Sequence, residues 1–342
     1  MTQRILVTGG FGFLGSHLCE LLLADPEIQV HVVDNLSSSP LPLGRMLDEL
    51  GRPPNLSYEI TDVSEFCERH LGGDGGATGF DGIYHLASMV GPAGVLCHSG
   101  RIAESIIQDA GRVAELAQRH GVRLVFVSTS EVYGGGNGGL CSEGMPSIVS
   151  SRASARLEYG VGKLAAETAL VNRARAEDLD VVVIRPFNIS GPRQSGQGGF
   201  VLPRFVGQAL QGTDITVFGT GRQVRAFTHV RDIAEGLVKA MVRGRHGEIY
   251  NLGNPRNCCS ILELAEEVLR AVPSESRIVF VDPKTIYGPL YEEANDKFPD
   301  ANKARDECGW TPRYRRQDVI AELAEYMRGL DPELLARVCG FG

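Results

Sequence analysis

Arg4-Ile5-Leu6-Val7-Thr8-Gly9-Gly10-Phe11-Gly12-Phe13-Leu14-Gly15 is the stretch that decides the fold. Ile5, Leu6 and Val7 form a short apolar run of the kind buried on both faces of a parallel sheet. The glycines follow at once, and apolar residues at 14, 18, 21 and 22 predict a helix behind them. Gly10, Gly12 and Gly15 keep the G-x-G-x-x-G spacing, and Gly9 adds a G-x-x-G-x-x-G version over the same residues. Such a turn lets the backbone approach a pyrophosphate, while the helix N-terminus offers free N–H groups to the phosphates. A second apolar strand, Val30 to Val33, ends in Asp34, about twenty residues past the glycines. A carboxylate there accepts hydrogen bonds from ribose hydroxyls and repels a 2′-phosphate, so NAD is expected rather than NADP.

Strand and helix patterns continue to alternate beyond Asp34. Strands are predicted at Leu56 to Ile60, Ile83 to Ala87, Leu124 to Val127 and Val181 to Ile184, with helices at Ile102 to His120 and Leu157 to Arg175. Asn35 to Pro54 reads as loop with a short helix, and Gly72 to Gly79 and Gly134 to Gly139 as glycine-rich loops. This alternation implies an α/β fold with a doubly wound parallel sheet of Rossmann type. After Arg185-Pro186-Phe187-Asn188 the strands shorten (Ile215 to Phe218, Ile249 to Leu252, Ile278 to Val281), and Ser260-Ile261-Leu262-Glu263 forms a capping box. The expected organisation is a dinucleotide-binding domain over 1–185, with later segments returning to it, and a smaller α/β lobe over 186–342. Ligands in such folds sit beyond the carboxyl ends of the strands.

Composition narrows the function. The chain has 342 residues and a net charge of −8, which argues against binding nucleic acid through phosphates. No run approaches the ~18 apolar residues of a membrane span, and no signal peptide is visible, so a cytoplasmic protein with no membrane partner is expected. The eight cysteines are scattered, without C-x-x-C or companion histidines, and read as reduced thiols with no metal site. His85, Cys97-His98 and Trp310 read as ordinary fold residues, Trp310 as a core plug.

Tyr159 and Lys163 stand at i and i+4 on one predicted helix, 30 residues after Thr129. A lysine held beside a tyrosine favours the phenolate, so the tyrosine can accept a proton near neutral pH.

With these segments in view, the chain resembles the extended short-chain dehydrogenase/reductases that modify nucleotide sugars. The resemblance rests on the glycine turn from Thr8, Val33-Asp34-Asn35-Leu36-Ser37, Asp62-Val63 and His85-Leu86-Ala87. It continues through Ser128-Thr129-Ser130-Glu131-Val132-Tyr133-Gly134, Tyr159 with Lys163, Arg185-Pro186-Phe187-Asn188, Gly191-Pro192-Arg193 and Gly309-Trp310-Thr311-Pro312. It implies that Tyr159 is the base and acid on the sugar hydroxyl, that Lys163 holds the nicotinamide ribose, and that Thr129 or Ser130 binds that hydroxyl. Around the cofactor it places Gly9, Gly12, Phe13, Leu14, Gly15, Asp34, Asn35, Ser37, Asp62, Val63, Leu86, Ala87 and Ser88. It assigns Asn188, Arg225 and Thr216-Val217-Phe218 to the substrate's diphosphate and base. The chain departs from the pattern at Ile106, where many members carry asparagine, and at Lys297, where many carry arginine. A homodimer through the helices beginning near Ile102 and Leu157 is a further expectation of the resemblance.

The reaction divides within this family after a transient 4-keto sugar. Ser130 replaces the aspartate of the usual sugar dehydratase, and Glu131 beside it also occurs in glucuronate decarboxylases. Lys297, and Ile286 to Glu293, differ from those decarboxylases, and the segment from Arg156 is closer to general 4-epimerases. The sequence therefore favours a 4-epimerase of a UDP-sugar, preferably UDP-glucuronate/UDP-galacturonate, with Arg193 as candidate donor to the uronate carboxylate. A UDP-glucuronate decarboxylase is the alternative, with Glu131 the residue bearing on it. A 4,6-dehydratase and a non-catalytic NAD-sensing protein follow.

Overall fold

Apolar runs short enough to be strands and apolar-periodic segments long enough to be helices assemble here as their alternation requires. The structure, a computed structural model, describes residues 2–72, 79–134, 138–147, 149, 154–196, 199–288 and 296–339. Most of the two predicted glycine-rich loops, and the larger part of 286–293, therefore lie outside the described residues.

Seven parallel strands form the main sheet in the order Ile249–Leu252, Val181–Pro186, Leu124–Val127, Gly82–His85, Gln3–Thr8, Ile28–Asp34, Leu56–Ile60. The strand order reverses between Gln3–Thr8 and Gly82–His85, and the loops leaving their carboxyl ends open the crevice in which a dinucleotide binds. The central strands are buried along their length, as sheets covered on both faces require. Helices Ile102–His120 and Ala155–Ala176 pack on one face, and Phe13–Leu23 and Val230–Arg243 on the other.

Three smaller sheets lie beyond the strand ends. Cys258–Ser260, Val224–Ala226, Lys297–Pro299 and Gly139–Cys141 form the largest of them, which ties a segment of the first 185 residues to the far end of the chain. Ile215–Phe218 pairs with Ile278–Val281, and Ile189–Ser190 with Thr228–His229. The Ser260–Glu263 capping box opens helix Ile261–Ala271 with both reciprocal bonds made. Trp310 is buried, and its Nε1 donates to the Asp232 carbonyl at 2.7 Å. All eight cysteines are free thiols. Among the described residues no helix is long and apolar enough to cross a membrane.

The seam between the glycine-turn helix and the C-terminal part is polar and buried. His229 caps helix Val230–Arg243 through Nδ1, stacks on Tyr314 at 4.0 Å between ring centres and lies 3.4 Å from Glu322. His17 meets the Pro192 carbonyl at 2.9 Å.

Candidate active site

A cleft of about 1020 Å³ runs from the glycine turn, past the ends of the central strands, to the smaller sheets. Its cofactor end is made of backbone. Helix Phe13–Leu23 starts at Gly12 with no side-chain cap, so its first N–H groups face the cleft. A Cβ on Gly9, whose φ is +73°, would stand 2.7 Å from the Ala87 nitrogen, and one on Gly15 would stand 2.0 Å from the Gly9 carbonyl oxygen. Nothing larger than glycine fits either position.

Asp34 closes this turn. Its oxygens accept the Phe11 N–H at 2.9 Å and the Leu36 N–H at 2.7 Å, which leaves each a further lone pair for a ribose hydroxyl. Burial raises its carboxyl above the ordinary value, and these N–H groups work against that rise. Asn35 donates to Asp62 at 2.6 Å and its own Oδ1 accepts the Ser37 N–H, so the three residues share one rim. Val63, Leu86, Ala87 and Ser88 line the same channel. The open backbone cradle and the half-satisfied buried aspartate fit NAD.

The middle of the cleft carries Thr129, Ser130, Glu131 and Tyr159. Leu124–Val127 delivers the first three at its carboxyl end, where Thr129 caps the turn Ser130–Tyr133. Tyr159 arrives on helix Ala155–Ala176, held close to its neighbour because Gly162 lets Ala103 come within 2.8 Å of where a Cβ would be. Glu158, which the sequence does not single out, accepts the N–H groups of Ile102 and Ala103 at 2.9 and 3.3 Å and so pins the two helices together beside Tyr159.

Tyr159 and Lys163 differ here from the expectation. The Tyr159 phenol is hydrogen-bonded by Thr129, whereas the Lys163 ammonium donates to the Val127 carbonyl at 2.9 Å and lies over the Phe126 ring. Burial pushes the phenol up and Glu131 adds to the rise, so the expected lowering by lysine is not present in this arrangement. Burial lowers Lys163 to about 8. The i, i+4 spacing puts both groups on one helix face, but the nearest strong acceptor, a strand-end carbonyl, takes the ammonium.

Lys297, whose role the sequence leaves open, is 1% exposed and donates to Glu131 at 2.6 Å. Arg156 binds the same carboxylate through two nitrogens, at 2.7 and 3.1 Å. Burial by itself would raise Glu131, but Lys297 and then Arg156 more than offset it and hold the carboxyl well below its usual range. Its pairing with both cations favours the carboxylate form. The grouping comes from residues 131, 156 and 297, and the only sequence signal for it is the cation at 297 in place of the family's arginine.

At the far end, Asn188 (φ +33°), Phe218 and Arg225 line the cleft, and the buried Asn188 amide nitrogen has no hydrogen-bond partner among the described residues. Arg204, which the sequence does not single out, lies with its guanidinium 3.9 Å over the Phe218 ring and donates to the Thr216 hydroxyl. Three expected contacts are corrected. Thr216 is taken by Arg204 and by Gln208 at 2.9 Å, Val217 is buried in the core, and neither lines the cleft. Arg193 is 6% exposed and lies outside the cleft, on Glu20 and near Glu49 at 3.7 Å, where it joins the two helices that follow the first two strands. In this arrangement its partners are local carboxylates and it does not reach the cleft.

Fold and cleft together define a dinucleotide-dependent enzyme. The chain belongs to the NAD dependent epimerase/dehydratase family, whose model matches residues 5–253. NAD is its cofactor. The chain is 32% identical over 336 residues to a UDP-N-acetyl-alpha-D-glucosaminuronate decarboxylase of Bacillus cytotoxicus, covering 97% of this chain and 99% of that one. It is 33% identical to UDP-glucuronic acid decarboxylase 1 of Xenopus tropicalis, over 95% of this chain and 72% of the other. The crystal structure of UDP-glucuronic acid 4-epimerase from Bacillus cereus, in complex with NAD, superposes with a TM-score of 0.79 at 26% identity, covering 95% and 99% of the two chains.

Proposed function

We propose that this chain decarboxylates a UDP-hexuronate by way of a 4-keto sugar. The observation that carries the reading is the Glu131–Lys297–Arg156 cluster beside Tyr159. Tyr159, held by Thr129, would accept the proton of the sugar's 4-hydroxyl as a phenolate, a form that the positive charge of bound NAD would favour against the burial that raises the phenol here. Bound NAD supplies the acceptor for the hydrogen on carbon 4. The 4-keto uronate is a β-keto acid: its bond to the carboxylate breaks, the electron pair moves into the ketone as an enolate, and carbon dioxide leaves. Tyr159 stands where it can return its proton to the enolate oxygen.

Carbon 5 must then receive a proton, and this is where Glu131 acts. A fixed anion cannot be the acid, but it can orient a water that is. Epimerisation requires only that the ring turn over between Tyr159 and the cofactor, and a half-buried, doubly paired carboxylate does nothing for that. The withdrawal of Arg193 removes the donor expected to keep a uronate carboxylate near the ring plane, as a 4-epimerase must. The two decarboxylases at 32% and 33% identity support the same choice. The second reading, a UDP-glucuronate 4-epimerase, is supported by the segment around Tyr159 and by the Bacillus cereus structure.

Mass spectrometry after incubation with UDP-glucuronate and with its 2-acetamido analogue separates the two. A product lighter by one carbon dioxide is expected, because carbon 4 regains its hydrogen once carbon 5 has been protonated. UDP-galacturonate, of unchanged mass, sinks the decarboxylase reading and establishes the other. Homodimerisation is proposed through Ile102–His120 and Ala155–Ala176, where Ile107 and Val161 are exposed. A monomer mass by light scattering removes that proposal.

A further inference from the structure

The C-terminal helix Pro332–Cys339 lies far along the chain from the other residues that line the cleft, yet Arg337 on it lines the cleft too. The helix is seated firmly. The Val338 carbonyl accepts the Gly196 N–H at 2.6 Å and the Ser195 hydroxyl at 3.2 Å, so the last turn is bonded to the loop after Gln194. The Cys339 sulfur sits so close to Gly207 that a Cβ there would be 2.4 Å from it, which locks this helix against Val201–Leu210. Arg204, on that second helix, lines the same wall of the cleft.

Seating of this kind fixes where Arg337 emerges. Val338 and Cys339 are buried as anchors, and Arg337 between them and the solvent is exposed, with no ion-pair partner among the described residues. An arginine on a rigid element, facing a cleft and unneutralised, is suited to an anionic ligand, since its planar fork binds phosphate oxygens in pairs. Arg204 is partly committed, over Phe218 and to Thr216, and Arg225 donates to its own neighbour's carbonyl at 2.8 Å. Arg337 is the cation of this wall that carries no such commitment.

We propose that the C-terminal helix is a working wall of the substrate site and that Arg337 holds the diphosphate of the nucleotide sugar from that side. The proposal rests on the nucleotide-sugar reading above but not on which reaction follows. It predicts that Arg337 contributes to binding and not to the chemical step.

Isothermal titration with UDP and with uridine tests it on the full chain. For Arg337→Ala, UDP is expected to bind about tenfold more weakly, with uridine unchanged and the melting temperature within a degree or so of the parent. The KM for the nucleotide sugar should rise by a similar factor with kcat held, and Arg337→Lys should recover part of it. Equal weakening of UDP and uridine would mean that the wall packs against the nucleoside, and the proposal falls. Unchanged UDP binding, or a parent protein that binds UDP no better than uridine, also overturns it. The reaction itself is judged separately by product mass, so one claim can fail without the other.

Discussion

At the cofactor end of the cleft, backbone meets backbone: the Gly9 and Gly15 positions have no space for a Cβ, and Asp34 spends hydrogen-bonding capacity on two N–H groups of its own turn. At the sugar end, side chains meet side chains: Glu131, Arg156 and Lys297 come from a strand end, a helix and a short strand near the chain's close. The first construction is local, with residue types dictated by steric exclusion over a few positions. The second is assembled from three distant segments, and its energetics depend on charge pairing in a buried place. One end is therefore robust in position but intolerant of volume. The other is held by charge pairing and does not tolerate the loss of a charge.

The sharpest way to break the comparison is at Tyr159, where the two ends meet. Tyr159→Phe keeps the ring and removes the proton acceptor, so turnover should fall by ~10²–10⁴ while nucleotide-sugar affinity barely changes. Near-normal turnover would take the tyrosine out of the chemistry altogether.

Lys297→Met tests the side-chain end. It leaves the half-buried Glu131 with one cation instead of two, and the cost should be on the order of 3 kcal/mol by denaturant titration. Turnover should drop as well, and Lys297→Arg should restore most of both. A Met variant as stable and as active as the parent would show that Arg156 alone holds the carboxylate.

Asp34→Ala tests the backbone end. Two turn N–H groups and the ribose lose their acceptor, so NAD should bind more weakly by roughly 1–3 kcal/mol. The measurement is NAD retained through purification and then titrated back. Tight NAD binding in the variant would remove Asp34 from the site.

The smallest effect concerns the seam. Burial lowers His229 from its ordinary 6.5 to about 4, so it is neutral in the fold while the unfolded chain takes up a proton below 6.5. Its contribution is complete above pH 6.5 and is lost as pH falls toward 4, a change on the order of 3 kcal/mol. His17, also buried and shifted downward, acts with the same sign. His229→Gln should flatten stability against pH across that window. An unchanged slope would mean that other groups carry the acid sensitivity.

The contrast between the two ends also explains what could be read in advance. The glycine spacing, the strand ending in Asp34 and the helix Ile102–His120 were legible because each is a local pattern with a steric or periodic cause. The segments 215–218, 249–252 and 278–281 were legible as strands for the same reason. Their sheet membership was not. Ile249–Leu252 completes the main sheet beside Val181–Pro186, and nothing in four residues says which edge they will join.

Function divides in the same way. By itself the sequence determined the fold class, NAD as the cofactor and the family, because a dinucleotide turn is written in consecutive residues that must be small, apolar or acidic at set intervals. Only the tertiary structure decided that Arg193 is spent on Glu20, that the Lys163 ammonium goes to Val127, and that Lys297 and Arg156 converge on Glu131. Each of these is a choice among competing partners for a long charged side chain. That choice is made by which acceptor lies nearest once distant segments have packed, and no local pattern records it.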